Sequence, residues 1–503
     1  MHPVYLLWFC LIGATELIPL VKRAPGNGHS TLSLDTGYEG EEITDDVFSQ
    51  ILKINKGSTM TLYHGDIVMN LNNGYSASKC VDCLWTKSAD GTVKVPYSLS
   101  TDYSDDEQRF IHHVLLDFST LTCVHLVERS TEEDYLEIGS GNGCWSSIGK
   151  VGGAQFLSVM KSGCMARGVI QHEVQHALGF YHEQSRSDRD DYIDVKWEYI
   201  NDEDRVNFEK METDNMGLPY DYSSVMHYGK YAYTNTSGQA TLIPKPDPSV
   251  ETGQRYGLSP LDVSRINKLY NCQHCGFLLS GYSGSLDSEN YLSAYSEATS
   301  CVWLIRVDKK VLLDFDTFDV ALSAGCSTYY ITVYDGSTKD FPVLLDKACG
   351  NQEIPLLVSS TNAMLVEFVH EEPVTAAGFK ASYSSVSCGG TYTEDEGTIT
   401  SPDYPNLYPN QADCISTIWA PVGYQIVLNF TTIDLEFSTS CLYDYLIIND
   451  GSRPSSPELG RLCWDNHIPP ILSTGNVLLL QFHTDSWFNK PGYRADYYFV
   501  KSS

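Results

Sequence analysis

At residues 172–182 the chain reads HEVQHALGFYH, and this stretch decides the class of the protein. On a helix, His172 and His176 lie one turn apart on the same face, so their imidazoles can bind one zinc ion. Glu173 stands beside the first of these ligands, close to where a water would be activated. The spacing therefore predicts a zinc site with an adjacent general base; the alternative is a helix with ordinary core histidines.

The glycine that follows this helix predicts a third ligand. Gly179 can adopt a left-handed conformation, which ends a helix and reverses the chain. The reversed chain would bring His182 to the same metal. Three neutral nitrogens would then leave one coordination position open, as a catalytic zinc requires.

Residues 76–272 around this stretch read as an α+β domain. Ser104 followed by three acids is a helix start signal, and an apolar stripe at helical spacing follows it: Phe110, Ile111, Val114, Leu115 and Phe118. Ser259-Pro260 opens another helix, and its predicted inward residues are Leu261, Ile266 and Leu269. About 200 residues are enough for a hydrophobic core.

The C-terminal half contains a repeat. Its first four cysteines recur 113 to 115 residues later, as Cys275, Cys301, Cys326 and Cys349 and then Cys388, Cys414, Cys441 and Cys463. Short apolar or alternating runs between turn clusters indicate an all-β sandwich for each copy. Each copy is predicted to hold two local disulfides, first to second and third to fourth cysteine.

Composition excludes some functions. The chain of 503 residues has 33 basic and 64 acidic residues, a formal net charge of −31. This charge excludes nucleic-acid binding through a basic surface. Beyond the N-terminus no apolar run reaches the roughly 20 residues of a membrane span, so no transmembrane segment is expected.

Cysteine usage predicts an exported protein. Cys10 lies in an apolar stretch that resembles the core of a secretory signal, here assigned to residues 1–15. The other fourteen of the 15 cysteines are an even number, which in an exported chain indicates a disulfide framework. Sequons at Asn235 and Asn429 agree with export. The alternative is a cytosolic protein with scattered thiols.

The zinc motif, the sequence SVMHY at 224–228 and the run at 183–190 together resemble the astacin family of metzincin proteases, in particular its hatching enzymes with two CUB domains. The resemblance implies that Glu173 is general base to a water and then proton donor to the leaving amine. Met226 would form a hydrophobic floor under the metal. Tyr228 would be a switching tyrosine, a zinc ligand at rest that swings out to donate a hydrogen bond to the tetrahedral intermediate; the alternative is a core tyrosine. Glu183 would meet the buried mature N-terminus.

The same resemblance implies disulfides in the protease domain. They would join Cys123 to Cys272 and Cys144 to Cys164. Cys80 and Cys83 are additional to these four cysteines and are expected to form a further disulfide near the N-terminus of the domain. A redox or zinc-binding CxxC is the alternative for these two residues.

Residues 275–385 and 388–500 resemble CUB domains, β-sandwiches used for protein–protein contact, here with substrate or matrix protein. Many CUB domains bind calcium through a Glu and two Asp, and the second copy carries Glu436, Asp444 and Asp485 at these positions. The first copy reads Ala321, Tyr329 and Glu371, so no such site is expected there. The alternative for the second trio is three solvated surface acids.

Residues 16–75 are interpreted as a propeptide. YHGDI at 63–67 resembles the pro-segment motif of astacins, which implies that Asp66 takes the open zinc position in a latent precursor; the alternative is a surface Asp in a turn. The mature chain is expected to start near Ser76. Tyr75 precedes it where relatives commonly have Arg, so an activating protease is implied but its identity is open.

Three functions compete. The first is a secreted zinc endopeptidase that cuts an egg envelope. The second is tolloid-like processing of matrix or growth-factor precursors, but only Gln273 and His274 separate the protease domain from the next module, and no EGF module fits there. The third is a non-catalytic CUB-mediated adhesion protein, against which the intact Glu173 argues.

Overall fold

The computed structural model describes residues 45–68, 83–254, 256–288, 300–370, 378–464 and 468–502. The predictions for the signal peptide, Cys10, the mature start after Tyr75, Cys80 and Glu371 lie outside these residues. The chain divides into two compact units. One contains the described residues up to Leu322 together with Thr328–Ser387, and the other contains the residues from Cys388 onward.

Four α-helices occur in the described residues: α1 Val47–Asn55, α2 Asp105–Leu121, α3 Arg167–Ala177 and α4 Pro260–Leu269. Helix α2 begins at the predicted cap, where the Ser104 hydroxyl accepts from the Glu107 amide and the Glu107 carboxylate accepts from the Ser104 amide. All five residues of its predicted apolar stripe are buried. None of the helices in the described part of the chain combines the length and apolar character needed to cross a bilayer.

The strands of the first 272 residues form one five-stranded sheet and two two-stranded pairs. They are β1 Leu62–Tyr63, β2 Ile67–Val68, β3 Val93–Leu99, β4 Val124–Glu128, β5 Tyr135–Gly139, β6 Cys144–Trp145, β7 Ala154–Val159, β8 Ile193–Val195 and β9 Leu242–Pro244. The larger sheet has the order β4-β3-β5-β7-β6, and only the edge strand β6 is antiparallel to its neighbour. Helices α2 and α3 share its hydrophobic core, so the predicted α+β domain is present.

Helix α4 begins at the predicted cap but buries a different set of residues. Of the predicted inward residues, Ile266 is buried and Leu269 is half-buried against the main core. Val263 and Tyr270 are buried as well, whereas Leu261 is only half-buried. The reason is that Asp262, at the third position of a capping box with Ser259, is itself buried. Its inward position sets the rotation of the helix and moves the core-facing stripe away from Leu261.

The described residues before the gap at 69–82 pack against the α+β domain. The Asp46 side chain caps α1 by accepting from the Ser49 amide. Val47 and Ile51 join the main core, and Phe48 joins a second cluster that contains Tyr228. The sequence predicted no independent core for this region, and α1 buries its apolar face against the protease domain instead.

The remaining strands form two β-sandwiches. The first has β10 Cys275–Ser280, β11 Ser283–Asp287, β12 Ser300–Arg306, β13 Lys310–Val320, β14 Tyr329–Tyr334, β15 Val343–Ala348, β16 Gly350–Asn351, β17 Leu357–Val358, β18 Ala363–His370 and β19 Gly378–Val386. The second has β20 Cys388–Tyr392, β21 Glu396–Thr400, β22 Asp413–Trp419, β23 Tyr424–Asp434, β24 Tyr445–Asp450, β25 Glu458–Leu462, β26 Ile471–Leu472, β27 Val477–His483 and β28 Gly492–Lys501.

The sequence repeat is a structural repeat. The first sandwich pairs sheets of order β10-β12-β18-β14-β15 and β11-β19-β13-β16, and the second pairs β20-β22-β27-β24-β25 and β21-β28-β23-β26. In each copy the first two cysteines stand side by side on parallel strands, Cys275 opposite Cys301 and Cys388 opposite Cys414.

Five of the predicted disulfides are formed between described residues: Cys123–Cys272, Cys144–Cys164, Cys275–Cys301, Cys388–Cys414 and Cys441–Cys463. Cys326, Cys349 and Cys83 are also disulfide-bonded. The pairing of Cys83 with Cys80 stays a prediction because Cys80 lies outside the described residues.

Candidate metal centre and catalytic site

Helix α3 and the turn after it bring the three predicted histidines together. His172 and His176 lie on one face of α3, and Gly179 has a φ of 105°, which turns the chain so that His182 returns to the same point. The Nε2 atoms of His172 and His182 are 3.3 Å apart. All three imidazoles are fully buried.

Asp66 of the pro-segment reaches all three imidazoles. Its Oδ2 lies 2.9 Å from His172 Nε2 and 3.1 Å from His182 Nε2, and its Oδ1 lies 3.4 Å from His176 Nε2. One ligand atom from each of the four residues lies within 4.8 Å of the others. Asp66 is therefore fully buried in the site and is not the exposed turn residue of the alternative interpretation.

The hydrogen bonds of the histidines test whether a metal fits. His172 Nδ1 lies 2.8 Å from the carbonyl oxygen of Val225, and His176 Nδ1 lies 2.8 Å from that of Phe180. A carbonyl only accepts, so each Nδ1 carries the proton and each Nε2 of a neutral ring presents a lone pair. These lone pairs face the lone pairs of a carboxylate. A bound cation would satisfy all of these acceptors at once, and imidazole with carboxylate is a donor set that suits zinc.

Glu173 lies next to His172 on α3 and is fully buried. Among the described residues neither of its carboxylate oxygens has a hydrogen-bond partner. Burial, reinforced by the negative charge of Asp66, raises the pKa of the Glu173 carboxyl well above its ordinary value. A carboxyl group that is buried without a partner is available for proton transfer to a bound molecule.

Tyr228 is contacted by two residues from the N-terminal part of the chain. Its hydroxyl donates to the carbonyl oxygen of His64 at 2.6 Å, and its ring stacks on Phe48 with centroids 3.6 Å apart. Burial raises the pKa of its phenol well above the usual value. Tyr228 is also a near neighbour of the site, since its ring centroid lies 4.9 Å from that of His182.

The backbone near Met226 is held by a residue that the sequence analysis missed. The Asp262 carboxylate accepts from Ser224 Oγ at 2.6 Å and from the Val225 amide at 2.9 Å. Met226 is buried, and its carbonyl accepts from the Glu183 amide at 3.0 Å. The only signal in the sequence was that Asp262 stands three residues after the helix cap Ser259.

Glu183 is engaged by two arginines. Its Oε1 accepts from Arg265 Nη2 at 2.7 Å, from Arg186 Nη1 at 3.2 Å and from the Asp221 amide at 2.7 Å. Burial outweighs the two guanidinium groups and raises the pKa of the carboxyl to about 7. Sequence reasoning singled out Glu183 but neither Arg265 nor Asp221, which come from distant parts of the chain.

The acidic trio of the second sandwich also comes together. One oxygen each of Glu436, Asp444 and Asp485 lies within 4.8 Å of the others. Asp444 is buried and accepts from the Tyr408 hydroxyl at 2.6 Å and from the Asp485 amide at 2.8 Å. Partial burial, with the charges of the two Asp residues, raises the pKa of Glu436. In the first sandwich, Ala321 and Tyr329 offer no carboxylate.

The fold and this cluster define a class, that of metallopeptidases whose histidines lie on one helix and the turn that follows it. The model of the Astacin peptidase family matches residues 84–271, and the CUB domain model matches 275–383 and 388–497. Embryonic protein UVS.2 of Xenopus laevis is 46% identical over 470 residues, 93% of this chain and 90% of that protein. The chain belongs to the astacin family of zinc metalloendopeptidases, with two CUB domains after the protease domain.

Two further similarities come from a bird and a fish. The Astacin-like metalloendopeptidase of Gallus gallus is 51% identical over 341 residues, 67% of this chain and 83% of that protein. The structure of high choriolytic enzyme 1, a hatching enzyme zinc-protease from Oryzias latipes, has 46% sequence identity and a TM-score of 0.38. It covers 39% of this chain and 100% of that chain.

Proposed function

We propose that the chain is a secreted endopeptidase, made as a latent precursor, in which His172, His176 and His182 hold the zinc ion. One observation carries the assignment: three imidazole lone pairs and a carboxylate converge in a fully buried site. Zinc would polarise the scissile carbonyl and make the attacking water more acidic.

Glu173 would move the proton of this reaction. One of its unpartnered carboxylate oxygens would take a proton from the water as the water oxygen bonds to the carbonyl carbon. When the carbon–nitrogen bond breaks, Glu173 would pass that proton to the leaving amine. Tyr228 would donate a hydrogen bond to the carbonyl oxygen as negative charge develops there, and Met226 would support the histidines from below.

Latency is proposed to depend on the pro-segment, residues 16–75. Asp66 would close the position that water and substrate need, and the His64 carbonyl would hold the Tyr228 hydroxyl. Removal of the segment by an activating protease would free both. The new N-terminus near Ser76 would then approach Glu183, where a buried carboxylate favours a cation.

Secretion is supported by the apolar stretch in residues 1–15 and by the disulfides of all the domains. The sequon at Asn235 lies on an exposed turn, where a glycan can be attached. We propose the domain bounds 76–272 for the protease and 275–385 and 388–500 for the CUB domains.

Egg-envelope glycoproteins at hatching are proposed as the substrate. A relative that covers nearly the whole chain is called an embryonic protein. The CUB domains would contact the substrate or a matrix protein.

The experiment compares the activated enzyme with a Glu173→Gln variant on isolated egg envelope and on procollagen, side by side. We expect envelope solubilisation to be faster than procollagen cleavage and to fall by roughly 10²–10⁴-fold in the variant, with its zinc content unchanged. Solubilisation that survives Glu173→Gln would identify a binding protein, and preferential procollagen cleavage would identify a tolloid-like processor.

We further propose that Glu436, Asp444 and Asp485 bind calcium in the second CUB domain, because hard carboxylate oxygens suit Ca²⁺. Calcium should raise the unfolding temperature of this domain by an amount that grows with the calcium concentration. Asp444→Asn should abolish the increase, while Asp413→Asn, on an exposed residue of the same domain, should preserve it. Calorimetry with calcium and with chelator measures the difference, and an equal response of wild type and Asp444→Asn would disprove the site.

A further inference from the structure

The first CUB domain carries a row of leucines on one of its sheets. Leu278, Leu304 and Leu365 are neighbours across β10, β12 and β18. Their exposed fractions are 3%, 0% and 0%. In the second CUB domain the corresponding row is Thr391, Thr417 and Leu479. The two sandwiches share one topology, so a row of three leucines at this place is a feature of the first copy.

The partner of this row is the protease domain. The three leucines belong to the same hydrophobic core as α2 and α3. Strand β10 approaches the end of α2 so closely that a Cβ on Gly276 would collide with the Leu121 carbonyl. The two domains therefore share one core and are not joined only by the short link at Gln273.

A buried charge cluster crosses the same interface. The Asp117 carboxylate of α2 is fully buried and accepts from Arg306 Nη2, at the end of β12, at 3.0 Å to Oδ1 and 3.2 Å to Oδ2. Its Oδ2 also accepts from Arg167 Nη1 and Gln171 Nε2, each at 2.7 Å. Arg306 thus supplies part of the positive charge that a buried carboxylate requires.

The cluster leads directly to the helix with the zinc-site histidines. Arg167 is the first residue of α3, and Gln171 immediately precedes His172. The Oε1 atom of the same Gln171 side chain accepts from the Leu258 amide at 2.8 Å. Asp117 therefore anchors the start of α3 through its hydrogen bonds to Arg167 and Gln171, and Arg306 holds the Asp117 carboxylate in place.

We propose that the first CUB domain is a structural part of the catalytic unit, and that Arg306 is a positioning residue that acts on α3 through Asp117. The second CUB domain carries Trp419 at the equivalent position and therefore lacks the guanidinium group on which this contact depends. This inference stands independently of the substrate proposed above.

The test is made on the full chain, with Arg306→Gln, Arg306→Lys and Asp117→Asn. The control is Arg461→Gln, which breaks an exposed arginine–glutamate pair of the second CUB domain. We expect Arg306→Gln to lower the unfolding midpoint of the protease domain by roughly 5 °C or more and to speed amide hydrogen exchange in α3 by about tenfold. Arg461→Gln should change neither.

Two readouts separate positioning from general stability. In the activated enzyme Arg306→Gln should lower kcat with little change in KM, and Arg306→Lys should recover part of the loss. The Asp117→Asn/Arg306→Gln double variant should lose less than the sum of the two single variants.

Leu304→Thr introduces the residue that the second CUB domain tolerates at this position. It should loosen the interface even if Arg306→Gln does not accumulate as folded protein. The proposal is overturned if the first CUB domain unfolds apart from the protease domain, or if α3 exchanges at the wild-type rate in both Arg306→Gln and Leu304→Thr.

Discussion

At the scale of the residue, the centre depends on where each imidazole keeps its proton. The carbonyls of Val225 and Phe180 hold the Nδ1 protons of His172 and His176. Both Nε2 lone pairs therefore point at Asp66. The proposed latency rests on the same carboxylate, which would complete the ligand set and, at that position, would exclude a substrate.

Asp66→Ala should therefore weaken latency. We expect the uncleaved precursor of this variant to be more active than the wild-type precursor by roughly tenfold or more, because the block is removed while the other pro-segment contacts remain. The measurement is peptidase activity before and during activation. Asp45→Ala is the matched control, since Asp45 is an exposed acid of the same segment paired with Lys53. Activation kinetics like those of wild type would count against the role of Asp66.

At the scale of the element, the Asp262 carboxylate stabilises both the start of a helix and a turn elsewhere in the chain. Asp262 caps α4 through the amide of Ser259 at 2.9 Å, and the same side chain holds the hydroxyl of Ser224 and the amide of Val225. The turn that carries Met226 is thus attached to the start of a helix more than thirty residues later in the sequence. Losing the carboxylate would leave several buried donors without an acceptor.

Asp262→Ala should destabilise the protease domain by about 2–4 kcal/mol, because unsatisfied buried donors add to the lost helix cap. Glu107→Ala is the matched control, since Glu107 has the same capping position in α2 but makes no contact with the Met226 turn. It should cost only about 1 kcal/mol. Denaturant unfolding of both variants measures the difference, and equal losses would show that Asp262 acts as a helix cap alone.

At the scale of the whole molecule, charge links the protease domain to the first CUB domain. Burial alone would raise the pKa of Asp117, but Arg306 and Arg167 outweigh it and lower that pKa below its ordinary value. His113 is a further titratable neighbour, and burial lowers its pKa. An acid with a lowered pKa stabilises the fold above its unfolded pKa of about 3.9, and that contribution is lost as pH falls through the folded value.

The wild-type chain should therefore be more stable than Asp117→Asn above about pH 4, and the gap should narrow as the pH falls below 4. Unfolding temperatures of both proteins between pH 6 and pH 3 give the comparison. Loss of zinc affects both proteins and cancels in the difference, whereas the charge of Asp117 raises the pKa of His113 in the wild type alone. A gap that stays constant over this range would show that the Asp117 carboxylate does not supply the stabilisation.

Much of the catalytic site could be predicted because its ligands are local. His172, His176 and His182 lie within eleven residues, and helix geometry with one glycine converts that spacing into a cluster. The helix caps at Ser104 and Ser259 could be predicted for the same reason, since each depends on residues that are close together in the sequence. The prediction of which α4 residues face the core was wrong in part. The rotation of that helix is set by the burial of Asp262 and not by the spacing of its apolar residues.

The sequence by itself determined the protease class, the two sandwiches and the residue types of both candidate metal sites, since each follows from short-range spacing or from an internal repeat. Only the tertiary structure decided which distant groups serve those sites. Three contacts join residues that are far apart in the chain. Phe48 stacks on Tyr228, Asp262 binds the turn that carries Met226, and Arg306 pairs with Asp117. No local pattern encodes such pairs, because they exist only after the hydrophobic cores have brought their elements together.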